Sequence, residues 1–157
     1  MLDDTPEDHA ALLMLVLAGG AMAPRRALLD AHRASPAAAL AAGKTAWRAA
    51  GLNDEQVNRL HQPDVAQYER GLAWLQRPNH HLMAWHHPDY PPLLQRLSSP
   101  PLALFVDGDP TLLWHPAVAM VGSRSPSAGG AENAHAFTHA LAGAGVLCLI
   151  SSAGLAA

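Results

Sequence analysis

Between Ala117 and Ile150 the chain alternates in a way that few folds accept. Ala117-Val118-Ala119-Met120-Val121 has no polar residue, the pattern of a strand buried on both faces. A polar loop, Gly122 to Gly130, follows. Ala131 to Ala142 reads as a helix with Phe137 and Leu141 inward, ended by Gly143 and Gly145. Val146 to Ile150 is a further apolar strand. Strand, loop, helix and strand in this order predict a parallel crossover, the unit of a doubly wound α/β sheet. Such sheets carry about five or six strands. Here the chain stops a few residues after the last apolar strand, so the expected sheet is truncated.

The preceding segment adds shorter strands. His81-Leu82-Met83-Ala84-Trp85 is one, and Leu102-Ala103-Leu104-Phe105-Val106 is another. A proline-rich turn from His87 to Pro92 and a short helix from Leu93 to Leu97 separate them. Asp107-Gly108-Asp109-Pro110 is a turn.

Residues 5–77 have a different character. Thr5 can cap a helix, Pro6 suits its first position, and Glu7 and Asp8 suit its dipole. Ala10 to Ala18 has almost no polar face and predicts a buried central helix, ended by Gly19-Gly20. Pro24 opens a second helix with Leu28 and Leu29 inward and Arg25 and Arg26 outward. Ser35-Pro36 starts a third, which Gly43 stops. Asn53 with Gln56 is a capping box, and Pro63 must bend or divide the helix that follows. The expected organisation is an all-helical domain, 1–78, and an incomplete Rossmann-like domain, 79–157.

Charge limits the function classes. The chain has 10 basic and 13 acidic side chains, a formal net charge of −3, which excludes a strongly basic, histone-like nucleic-acid binder. A local phosphate site remains compatible with it. The single cysteine, Cys148, cannot form an internal disulfide or a cysteine-type zinc site. A reducing, cytoplasmic compartment is the simplest expectation. The N-terminus is acidic where a signal peptide is basic, and no apolar run reaches the roughly twenty residues of a membrane span.

Chemistry concentrates in the loop after Val121. Gly122 permits a tight turn, Ser123 and Ser127 offer hydroxyls, and Arg124 supplies a planar cationic fork suited to phosphate. Amides at the following helix start favour an anion. The alternative is an ordinary glycine-rich turn, since the pattern is neither a dinucleotide fingerprint nor a Walker loop. Gly43-Lys44-Thr45 imitates a Walker tail, but Ala38 stands where the earlier glycine belongs. His135 and His139 have metal-sharing spacing without a third ligand, so no metal is expected. Cys148 reads as a buried structural thiol. No catalytic constellation is defensible from spacing. Arg25 and Arg26 beside a glycine hairpin could face a DNA backbone, though a solvated helix face is the better account.

Three boxes then join in order: Asp89-Tyr90-Pro91-Pro92-Leu93-Leu94, Pro100 to Gly108, and Val118-Ala119-Met120-Val121-Gly122-Ser123-Arg124. Together they resemble the DNA-processing protein family DprA, also called Smf. The helical half looks like the sterile-alpha-motif-like or helix-hairpin-helix-like domain of many members. The resemblance implies a cytoplasmic, non-enzymatic protein that binds single-stranded DNA. Such proteins protect incoming DNA in natural transformation, load the RecA recombinase and dimerise through the Rossmann-like domain. It places Gly122, Ser123, Arg124 and Ser127 in a DNA-phosphate loop and implies no cofactor. In the family a second loop, Ser-Gly-Leu-Ala-x-Gly-Ile-Asp, follows the next strand. This chain instead reads Ser151-Ser152-Ala153-Gly154-Leu155-Ala156-Ala157, with an additional alanine before Gly154. Two other readings remain open at this level: a Rossmann-like nucleotide hydrolase or transferase using the same loop, and a helical protein-interaction module.

Overall fold

The computed structural model describes residues 5–123 and 125–152, with residues 147–152 described through their backbone. The chain divides into two compact units, Met1–Pro110 and Thr111–Ala157.

The first unit is built around α1 (Pro6–Leu17). Thr5 caps it by accepting from the Asp8 amide, and Leu12, Leu13 and Leu15 are buried. Five further helices surround it: α2 (Met22–Ala31), α3 (Pro36–Ala41), α4 (Gly43–Ala49), α5 (Asp54–His61) and α6 (Val65–Leu75). Leu28, Leu29, Ala39, Trp47, Val57 and Leu60 close the core against α1. The Asn53–Gln56 capping box forms with both reciprocal bonds, at 2.8 and 3.1 Å. Asp64 caps α6 after Pro63 separates it from α5. Gly43 does end α3, at φ +77°, but the chain turns at once into α4, a helix the sequence reading missed.

β1 (His80–Ala84) and β2 (Ala103–Asp107) pair antiparallel, with Leu82 opposite Phe105. Between them lies α7 (Pro92–Gln95). This corrects the expectation that residues 79–157 share one parallel sheet. The pair forms its own two-stranded sheet. Leu82, Ala84 and Leu102 join the helical core, so apolar burial carries the first unit past residue 78 to Pro110.

A 3-10 turn (Pro110–Trp114) starts at the last residue of the first unit, and the second unit continues with β3 (Ala117–Gly122), α8 (Ala128–Gly143) and β4 (Leu147–Ser152). β3 and β4 are parallel, from Ala117 opposite Leu147 to Gly122 opposite Ser152. The parallel crossover expected from the alternation is therefore present, and the chain is a mixed α/β protein. Burial of β3 on both faces is not present. Val118 and Val121 are exposed and only Met120 is half-buried, because the described residues supply one neighbouring strand and one helix. Phe137, expected inward, is also exposed. Thr138 takes the inner position instead, its hydroxyl 3.1 Å from the Met120 sulfur.

Candidate nucleic-acid interface

The loop between β3 and α8 begins where the strand ends. Gly122 is the last residue of β3, and among the described residues no atom of another element lies within 4 Å of the place a Cβ would occupy. Its φ is not positive, so the turn there is not left-handed. Ser123 is exposed and its hydroxyl oxygen accepts from the Ser125 amide at 3.1 Å, which folds the loop back on itself. Arg124 lies outside the described residues.

Ser127 is the N-cap of α8, its Oγ accepting from the Gly130 amide at 3.1 Å. A Cβ on Gly130 would sit 3.1 Å from that same oxygen, so glycine there keeps the cap tight. The helix therefore starts three residues earlier than the alanine pattern suggests, because the serine cap recruits Ala128, Gly129 and Gly130 into its first turn. Amides of that turn point toward the loop, and the helix dipole favours negative charge at this end. Gly122 and Ser152 are register partners, so the loop after β3 and the chain leaving β4 start side by side at the carboxyl edge of the strands. Open α/β sheets present ligand-binding loops at that edge. The structure thus brings Gly122, Ser123 and Ser127 into one exposed segment.

The arginines of α2 behave otherwise than expected. Arg25 is 3% exposed rather than outward. Its guanidinium donates to the carbonyls of Leu15 (3.0 Å), Val16 (3.1 Å), Gly20 (2.7 Å) and Ala21 (3.2 Å). These carbonyls belong to the last turn of α1, the Gly19-Gly20 turn and the N-cap of α2, and that of Val16 also accepts from the Gly19 amide at 3.1 Å. Gln56 adds bonds to Gly19 and Ala21 at 2.8 and 3.1 Å. Burial lowers the Arg25 pKa, and guanidinium remains charged all the same. Arg25 is a structural clamp, buried with four of its five N–H donors on carbonyls, a role the sequence signalled only through its position five residues beyond two glycines. Arg26 lies over the Trp85 ring, 5.7 Å from its centroid.

The remaining candidates separate. Lys44 and Thr45 lie in α4 and form no phosphate loop. His135 and His139 are exposed on α8. Among the described residues no three His, Cys, Asp or Glu side chains are grouped to hold a metal. Cys148 lies in β4 opposite Val118. Asp107 places a carboxylate oxygen 3.7 Å from His80 Nδ1. Tyr90 is buried and donates through its hydroxyl to the Pro101 carbonyl at 3.0 Å. Burial pushes its pKa up, against a smaller opposing effect of the Arg26 charge.

Comparison with known proteins places this geometry. Residues 81–157 match the model of the family described as DNA recombination-mediator protein A. Over 96 residues the chain is 38% identical to Protein Smf of Escherichia coli (strain K12), covering 61% of this chain and 26% of that protein. The chain thus spans about a quarter of the length of this curated relative. No solved structure matches. No described helix is long and apolar enough to cross a membrane. The three boxes, the capped loop after β3 and the match over residues 81–157 agree, and the chain belongs to the DNA recombination-mediator protein A (DprA/Smf) family.

Proposed function

We propose that this chain binds single-stranded DNA by its phosphate backbone, through the loop after β3, without a chemical step and without a cofactor. Gly122 lets the backbone come close, Ser123 and Ser127 offer hydroxyls, and Arg124 contributes a charge-assisted fork. The observation that carries the reading is the capped, exposed strand-to-helix loop at the carboxyl edge of a parallel pair, inside the family segment. A doubly wound, Rossmann-like sheet is the architecture proposed for the whole family domain, with β3, α8 and β4 as its first crossover. Cytoplasmic location, protection of incoming DNA, loading of RecA and dimerisation are proposed with it.

Fluorescence anisotropy of a labelled single-stranded oligonucleotide tests the reading. Binding is expected at low salt and should weaken with a log–log slope of about −0.7 per phosphate engaged. No binding at low salt overturns it for this chain.

A further inference from the structure

A second surface with nucleic-acid chemistry lies in the first unit, away from every residue of the 122–130 loop in sequence. Trp74, on α6, packs edge-to-face against two rings. The His80 ring is 4.2 Å away, centroid to centroid, at 67°, and the Phe105 ring is 5.5 Å away at 73°. His80 is the inner member, with its side chain 9% exposed. Its Nδ1 lies 3.0 Å from the Pro78 carbonyl and 3.7 Å from an Asp107 carboxylate oxygen. Both neighbours are acceptors, so Nδ1 carries a hydrogen and the ring is fixed from behind.

Phe105 is the outer member. Its cross-strand partner Leu82 is 4% exposed, yet Phe105 keeps 46% of its surface in water. A ring that served only to fasten β2 to α6 would gain by sinking further. Fixed, half-exposed aromatic faces are instead what sequence-tolerant single-strand binding uses, since every base has a π-face to stack.

The charges around the rings match. Arg70 and Trp74 are four residues apart on α6 and share a face. The Arg77 amide bonds to the Trp74 carbonyl at 3.2 Å, which continues the turn and puts Arg77 one turn beyond. Both arginines are exposed. Glu69 lies about 140° round the helix from Trp74, and the Asp107 carboxylate is beside His80. The face that carries the aromatic side chains is thus flanked by two cations in one line.

We propose that Phe105 and Trp74 form a stacking platform for bases of a single-stranded nucleic acid, with Arg70 and Arg77 taking its phosphates. The class of ligand rests on the single-stranded DNA reading above; the residues are independent of it.

The test uses the full chain with two labelled oligomers of equal length, oligothymidylate and an abasic deoxyribose-phosphate chain. Oligothymidylate should bind more tightly and quench tryptophan emission. Phe105→Leu should weaken oligothymidylate binding about tenfold and leave the abasic oligomer unchanged, while Phe105→Tyr, which keeps the ring, should retain affinity. Arg124→Ala should weaken both oligomers. Equal binding of the two oligomers, or a Phe105→Leu variant that binds oligothymidylate like the parent, overturns the platform and leaves the loop reading intact. If Arg124→Ala binds like the parent and Phe105→Leu does not, the platform stands and the loop reading falls. A chain that binds neither oligomer overturns both.

Discussion

The Tyr90 hydroxyl donates to the Pro101 carbonyl across 3.0 Å, joining residues eleven apart in two of the family boxes. The tyrosine is 1% exposed, and Leu102, which follows its partner Pro101, joins the helical core. Tyr90 is therefore a fastening for the segment between β1 and β2. Tyr90→Phe should keep the packing and strand the Pro101 carbonyl, lowering stability by about 1 kcal/mol in a denaturant titration. DNA affinity should not change.

Arg25 yields a sharper contrast. Lysine cannot reproduce a planar fork that reaches four carbonyls. Arg25→Lys should cost about 2–3 kcal/mol of stability and leave salt-dependent DNA binding unaltered under conditions where the variant is folded. Loss of DNA affinity without loss of stability would assign Arg25 to the interface instead.

Gly71 lies in the interior of α6, where alanine is intrinsically better by about 1 kcal/mol. Here a Cβ would sit 2.7 Å from Leu13 Cδ2 and 3.0 Å from Cδ1, and Leu13 is 1% exposed. Overpacking of this kind costs about 1–3 kcal/mol. Gly71→Ala should therefore lower the unfolding midpoint, and a raised midpoint would show that Leu13 can move aside.

Acid should loosen the first unit through Asp8. Burial alone would raise its pKa. Bonds from the Ala37 amide (3.1 Å) and from the Thr5 and Ser35 hydroxyls (3.0 and 3.2 Å), with the charge of His9, outweigh burial and hold the carboxyl below its ordinary value. A depressed folded pKa contributes stability that is full above the unfolded value and is lost as pH falls through the folded one. Thermal scans from about pH 5 downward should show the loss beginning near the ordinary carboxylate range, about pH 4, and Asp8→Asn should flatten that slope. An unchanged slope in the variant would remove Asp8 from the acid transition.

Local signals in the sequence were legible wherever one residue decides a backbone bond. Thr5, Ser35, Asn53 and Pro63 mark helix boundaries through caps or a missing amide, and all four lie where expected. The crossover from β3 to β4 was legible because two apolar runs flank a single helix-length segment. What failed was long-range. Periodicity cannot say which core a strand joins, so the sequence pattern puts β1 and β2 with the later sheet although Leu82 and Leu102 pack with the helices. Nor can a charge pattern show that Arg25 turns inward, since its partners are carbonyls and carry no sequence signature. The strands of the crossover looked buried on both faces, yet Val121 is 69% exposed. At the loop, the sequence offers Ser127 as a hydroxyl for phosphate, and the structure shows it as the cap of α8.

The most direct test of the central claim is the affinity of the Arg124→Ala variant for two single-stranded oligonucleotides of different sequence, measured by anisotropy across a salt series. If the loop after β3 holds phosphate, affinity falls on both sequences alike and the salt slope becomes shallower by about 0.7. Affinity and slope equal to those of the parent chain would contradict the account.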